Sequence, residues 1–158
     1  MTFYHCLGRA RELTATVLKT TLRVLSGLIA VAAIGIQLVP VHRANPPVEK
    51  TVNWDSPRTK ELFGRACLDC HSNETVWPWY GKIAPASWLI ARHVDEGRVS
   101  FNISARHAEG GGNAVLSVED GRMPLSSYLL LHPEARLTAQ EREELLHGLE
   151  ETFTYGSE

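Results

Sequence analysis

The sequence is poor in the features from which several large classes of protein are built. It has three cysteines, an odd number, so a scaffold made purely of disulfides is not expected. No apolar–polar alternation runs long enough for a useful strand, which leaves helix as the dominant element. There is no second Cys-x-x-Cys and no His-x-x-x-His, so a structural zinc site would lack ligands. Gly110–Gly111–Gly112–Asn113 lacks the strand–turn–helix setting of a phosphate cradle and reads as a flexible linker. No nucleophile–base pair or carboxylate pair suggests hydrolysis. Positive charge is also scarce over most of the chain. Residues 52–158 hold ten Lys/Arg against sixteen Asp/Glu, a balance of −6, which makes them a poor partner for nucleic acid.

What is present is divided. The 158 residues have room for one compact domain plus a short extension. Residues 1–51 carry six Lys/Arg (Arg9, Arg11, Lys19, Arg23, Arg43, Lys50) against Glu12 and Glu49, a balance of +4. Within them Val24–Val39 is a run of sixteen residues without charge. At ~1.5 Å per residue it falls short of the ~30 Å hydrocarbon core. Leu22, Arg23, Pro40 and Val41 close the gap if Arg23 snorkels to the headgroups. The basic residues before the run outnumber those just after it, so the positive-inside rule puts residues 1–21 in the cytoplasm and everything after Val41 outside. A cleaved signal peptide is the rival reading. Ala30–Val31–Ala32 has the small-x-small form of a cleavage site, but apolar sequence continues past it, so an uncleaved anchor over 22–41 is expected. Cys6 reads as an inert thiol on the cytoplasmic side.

Residues 42–51, with Pro46–Pro47, read as an extended tether. From residue 52 to 158 the pattern predicts one helical domain. Ser56–Pro57 caps and opens a helix to about Ala66, with Leu62, Phe63 and Ala66 on its apolar face. Trp77–Pro78–Trp79–Tyr80–Gly81 is an aromatic loop. Pro85 opens a second helix that Gly97 is expected to end, with Trp88 and Ala91 turned inward. Leu125–Leu131 predicts a short helix. Thr138 and Glu141 form a capping box before a last helix whose Leu145, Leu149 and Phe153 share a stripe, and this helix is expected to pack against the one from Pro57.

The chemistry lies at Cys67-Leu68-Asp69-Cys70-His71, a Cys-x-x-Cys-His sequence placed directly after a helix. Two cysteines three positions apart lie on one side of a helical turn, where each can add to a haem vinyl group. His71 is then presented as the proximal iron ligand. A thiol–disulfide oxidoreductase would instead carry its Cys-x-x-Cys after a strand. Met123, the one methionine besides the initiator, stands between Gly121-Arg122 and Pro124 and is read as the distal ligand. Its rivals are His93, His107 and His132. The second ring nitrogen of His71 needs an acceptor, for which the carbonyl of Pro85 is the candidate. Trp77, Trp79, Tyr80 and Trp88 are expected to supply contact to the haem and exclude water.

With these residues in place, the chain resembles the haem-binding domain family of small, membrane-anchored bacterial c-type cytochromes over about residues 52–154. The resemblance rests on Cys67-Leu68-Asp69-Cys70-His71-Ser72, Trp77-Pro78-Trp79-Tyr80 and Ile83-Ala84-Pro85-Ala86-Ser87-Trp88-Leu89. His93-Val94, Gly97-Arg98, Gly121-Arg122-Met123-Pro124 and Tyr128 through His132-Pro133 complete it. Arg106 stands where the family tends to carry a tryptophan. The resemblance implies an all-α, cytochrome c-like fold behind one N-terminal transmembrane helix, periplasmic exposure, and His/Met ligation at His71 and Met123.

The expectation is therefore a single-pass protein of the cytoplasmic membrane with one covalent haem c. It carries electrons to or from a partner protein and is not an enzyme. A haem-based ligand sensor or small peroxidase, with an open distal iron position, is the alternative.

Overall fold

The computed structural model describes residues 2–106 and 111–155, with side chains over 14–106 and 111–153. His107, Gly110 and the side chain of Cys6 lie outside the described residues. The chain divides into a unit at Met1–Pro40 and a unit at Val41–Glu158.

The first unit is one helix, α1 (Thr2–Gly35), closed by a 3₁₀ turn at Ile36–Leu38. Within it Thr14–Leu38, 25 residues, is long and apolar enough to cross a membrane. At ~1.5 Å per residue these 25 residues, Lys19 and Arg23 among them, are longer than the ~30 Å core. Four of its uncharged polar side chains bond within the helix. Thr20, Thr21 and Ser26 donate to the carbonyls of Thr16, Val17 and Arg23, and Gln37 to that of Ala33. Such back-bonding would lower the cost of exposing these groups to lipid if the helix crosses a membrane.

The second unit is helical, and no strand occurs among the described residues. Helix α2 (Pro57–Ala66) begins where the Ser56 hydroxyl accepts from the Thr59 N–H, with proline at its first turn. It buries Thr59, Leu62, Phe63 and Ala66. A single turn follows, α3 (Leu68–His71), then α4 (Ala86–Ser100), α5 (Gly111–Glu119), α6 (Ser126–Leu129) and α7 (Ala139–Glu150). The Thr138–Glu141 capping box opens α7 as its sequence predicts. Helix α7 packs on α2 and on α5. The core joins Leu62 and Phe63 to Phe101, Ile103, Val115, Val118, Leu145 and Leu149. The α2–α7 contact needs Gly148, where a Cβ would stand 2.0 Å from the Thr59 hydroxyl. Outside this contact, Arg58 pairs with Glu144 at 2.9 Å and Arg65 with Glu141 at 2.7 Å.

Two glycines correct the sequence reading. Gly97 does not end α4, which continues to Ser100; it is buried, and a Cβ there would lie 2.5 Å from the Cys70 carbonyl oxygen. Close approach, not helix termination, is what this position requires. Gly111 opens α5 instead of belonging to a linker, and a Cβ on it would meet Phe153 at 2.4 Å.

Residues 41–50 are extended, as Pro46–Pro47 implies, but they do not hang free. Arg43 donates to the Gly81 carbonyl, Asn45 to that of Thr75, and Asn73 to that of Pro47. The N–H groups of Glu49 and Lys50 meet the Ser104 carbonyl. An extended chain has no internal hydrogen bonds, so its polar groups are available to neighbours, and here the neighbours use them. Arg98 on α4 ties the strap down further, donating to Ala44 and Ser72 carbonyls and to the side chains of Asn45 and Thr75.

Candidate functional site

The cysteine motif occupies the tight turn between α2 and the strap-bound segment 72–75. Cys67 ends α2, accepting at its carbonyl from the N–H groups of Cys70 and His71 at 3.2 and 3.0 Å. This single turn places both sulfurs and the imidazole in the wall of one cavity of about 440 Å³. Met123 is in the same wall. A smaller cavity of about 70 Å³ shares Cys67, His71 and Met123 and reaches Phe63, Phe101 and Leu149 of the core. The space beside Cys67, His71 and Met123 therefore extends inward to the α2–α7 contact.

His71 is held from both sides. Its Nδ1 donates to the Phe101 carbonyl at 2.9 Å, and its own carbonyl accepts from Ile103 N–H at 2.9 Å. A carbonyl can only accept, so Nδ1 carries a proton and Nε2 of the neutral ring keeps the ligating lone pair. The acceptor is Phe101, not Pro85. The Pro85 carbonyl is taken by the N–H groups of Trp88 and Leu89 at the start of α4. Proline's carbonyl was free of its own donor, but the helix it opens consumes it.

Met123 follows Gly121, whose φ of +70° caps α5 in the left-handed region. A Cβ there would meet no protein atom nearer than Arg142 at 3.7 Å, and the positive φ is what requires glycine. The Ser117 carbonyl accepts from the N–H groups of Arg122 and Met123, each at 3.0 Å. Arg142 on α7 donates to the last carbonyls of α5, at Val118 and Glu119, where a cation suits the helix dipole.

Burial pushes the Cys67 thiol up to about 12, with Cys70 adding to it, and pushes Cys70 up to about 11, with Asp69 adding. Reactive Cys-x-x-Cys thiols are shifted the other way, toward thiolate at neutral pH. Among the described residues no cluster of three His, Cys, Asp or Glu side chains could hold a metal ion by itself.

The aromatic residues are distributed differently from expectation. Tyr80 lines the cavity, whereas Trp77, Trp79, Trp88 and Pro85 are not in its lining. Trp77 donates its indole N–H to Asn45, and Trp79 is 73% exposed. Trp88 is half-buried, and its indole N–H is buried without a hydrogen-bond partner. The wall is built instead from α4, through Ala86, Leu89, Ile90, His93, Val94 and Gly97. Their spacing of three and four is a helical stripe legible in the sequence, adjacent to the Trp88–Ala91 face taken as inward. Tyr128 and His132 complete the far side, beside Asp69 of the motif.

Two thiols, an imidazole with one nitrogen committed to a carbonyl, a thioether and a largely apolar lining make a donor set that fits a haem. A family model described as haem-binding domain matches residues 31–151, starting within α1 and ending just past α7. No protein of curated function and no solved structure matches the chain. The match covers more than half of the sequence and includes every residue of the cavity wall, and the chain belongs to the haem-binding domain family.

Proposed function

We propose that this protein is a mono-haem c-type cytochrome, an electron carrier and not an enzyme, anchored by α1 with residues 42–158 on the periplasmic side of the cytoplasmic membrane. One observation carries the reading: Cys67, Cys70, His71 and Met123 share one cavity wall, with His71 Nδ1 fixed on the Phe101 carbonyl. Each thiol adds across a vinyl group, sulfur to one carbon and hydrogen to the other, so nothing leaves and the link is permanent. The bound haem supplies reversible one-electron chemistry. His71 and Met123 would hold its iron, and a thioether would favour the ferrous state relative to a second histidine.

Orientation rests on the basic residues ahead of Val24, and periplasmic exposure suits haem attachment, which takes place outside the cytoplasmic membrane. The partner is a redox protein that presents a basic patch to the acidic domain, so transfer rates fall as salt rises.

The experiment is a spectrum of the reduced protein with and without carbon monoxide, after export in a host with haem-attachment machinery. An unchanged low-spin spectrum is the expected result. Carbon monoxide binding by the unmodified protein would favour the sensor or peroxidase reading, in which His93 and His132 of the wall would face an open iron.

A further inference from the structure

The two segments that carry the proposed ligands are far apart in sequence and approach each other at Asp69 and Tyr128. Asp69 sits inside the cysteine motif. Its carboxylate accepts from the Val76 N–H at 2.9 Å and from the Tyr128 hydroxyl at 2.8 Å. Among the described residues, the Tyr128 bond is the one side-chain hydrogen bond joining residues 67–71 to residues 121–132.

Tyr128 is well placed to transmit that tie. Met123 precedes Pro124, whose ring fixes φ, and Leu125 then accepts from Tyr128 N–H at 3.0 Å at the start of α6. Little slack separates the methionine from the tyrosine. The Tyr128 ring is itself fixed, stacked on His132 with centroids 3.9 Å apart and planes at 12°. His132 donates from Nδ1 to the Tyr128 carbonyl at 3.0 Å, and its Nε2 meets the Tyr80 hydroxyl at 3.3 Å. On its other side the Met123 segment is held by the Ser117 carbonyl, which accepts from the Arg122 and Met123 N–H groups, while Arg142 fixes the end of α5 just before it.

We propose that Tyr128 is a positioning residue: through Asp69 it latches the Met123 segment to the His71 turn and thereby sets how firmly Met123 holds the iron. The inference rests on the haem reading above. Burial and the Asp69 carboxylate push the Tyr128 phenol far above its usual range, so it remains a donor throughout the working pH of the protein.

The test uses the full-length holoprotein and imidazole as a competing ligand for the oxidised iron. Tyr128→Phe removes the hydroxyl and keeps the ring stacked on His132. The half-saturating imidazole concentration should fall by about tenfold or more, the scale of one lost hydrogen bond to a charged acceptor. The thioether-to-iron absorption band should weaken in parallel. Asp69→Asn keeps an acceptor and should show a smaller fall, and the double variant should be no worse than Tyr128→Phe alone. Where Tyr128→Phe yields no holoprotein, Asp69→Asn carries the test. Unchanged imidazole binding and an unchanged band in a haem-loaded variant overturn the latch, even if its melting temperature drops. A wild-type protein without covalent haem overturns the haem reading instead, and a wild type that binds imidazole as tightly as Met123→Ala overturns methionine ligation.

Discussion

Gly97 of α4 lies so close to the Cys70 carbonyl that a methyl group at this position would stand 2.5 Å from the oxygen and 3.0 Å from the Cys70 Cβ. Backbone, not a flexible side-chain end, is what such a methyl would meet. Gly97→Ala should therefore push α4 away from the cysteine turn, at a cost of about 1–3 kcal/mol typical of overpacking. The expected readouts are a lower melting temperature and less haem incorporated per chain. A variant that loads haem and melts like wild type would show that the contact can open without cost.

Met123 offers a sharper spectroscopic test. In Met123→Ala the holoprotein should retain its haem but lose the low-spin methionine-ligated spectrum, and the reduced form should bind carbon monoxide that the wild type excludes. Retention of the native spectrum would remove Met123 from the iron.

The helix pair behind the site predicts a pH response. A hydrogen bond from Arg65, then the Thr138 backbone N–H, lowers Glu141 from 4.5 to about 2. A carboxyl depressed on folding stabilises the protein above its unfolded value, and that contribution is lost as pH falls toward the folded one. Glu141→Gln keeps the capping-box reach and removes the charge. Its melting temperature should lie below wild type at neutral pH, and the gap should close as pH falls from about 4.5 to about 2. A gap of constant size across that window would deny the Arg65–Glu141 pair a role in stability.

Much of this architecture was legible in local sequence. Ser56–Pro57 and the Thr138–Glu141 box mark helix starts because their side chains bond neighbouring backbone, and the structure has both. Cys67, Cys70, His71 and Met123, singled out because few residues of their types are present, line one cavity. What failed depended on tertiary contact. Gly97 and Gly111 read as a stop and a linker, since nothing nearby in sequence announces the Cys70 carbonyl or the Phe153 ring pressed against them. The Phe101 carbonyl that orients His71 comes from 30 residues away and carries no side-chain signature. The tryptophans drew the eye because aromatic character is conspicuous, while the cavity wall is lined by a stripe on α4 that carries no such signature.

The central claim is a permanent link between the two motif sulfurs and one haem. Intact mass of protein exported in a host with haem-attachment machinery, followed by alkylation of the unfolded chain, tests it most directly. The account predicts the mass of the chain plus one haem, with Cys67 and Cys70 closed to the alkylating reagent. A chain of unmodified mass whose two motif sulfurs are alkylated, or bridged to each other, would contradict it when a control cytochrome from the same host is fully loaded.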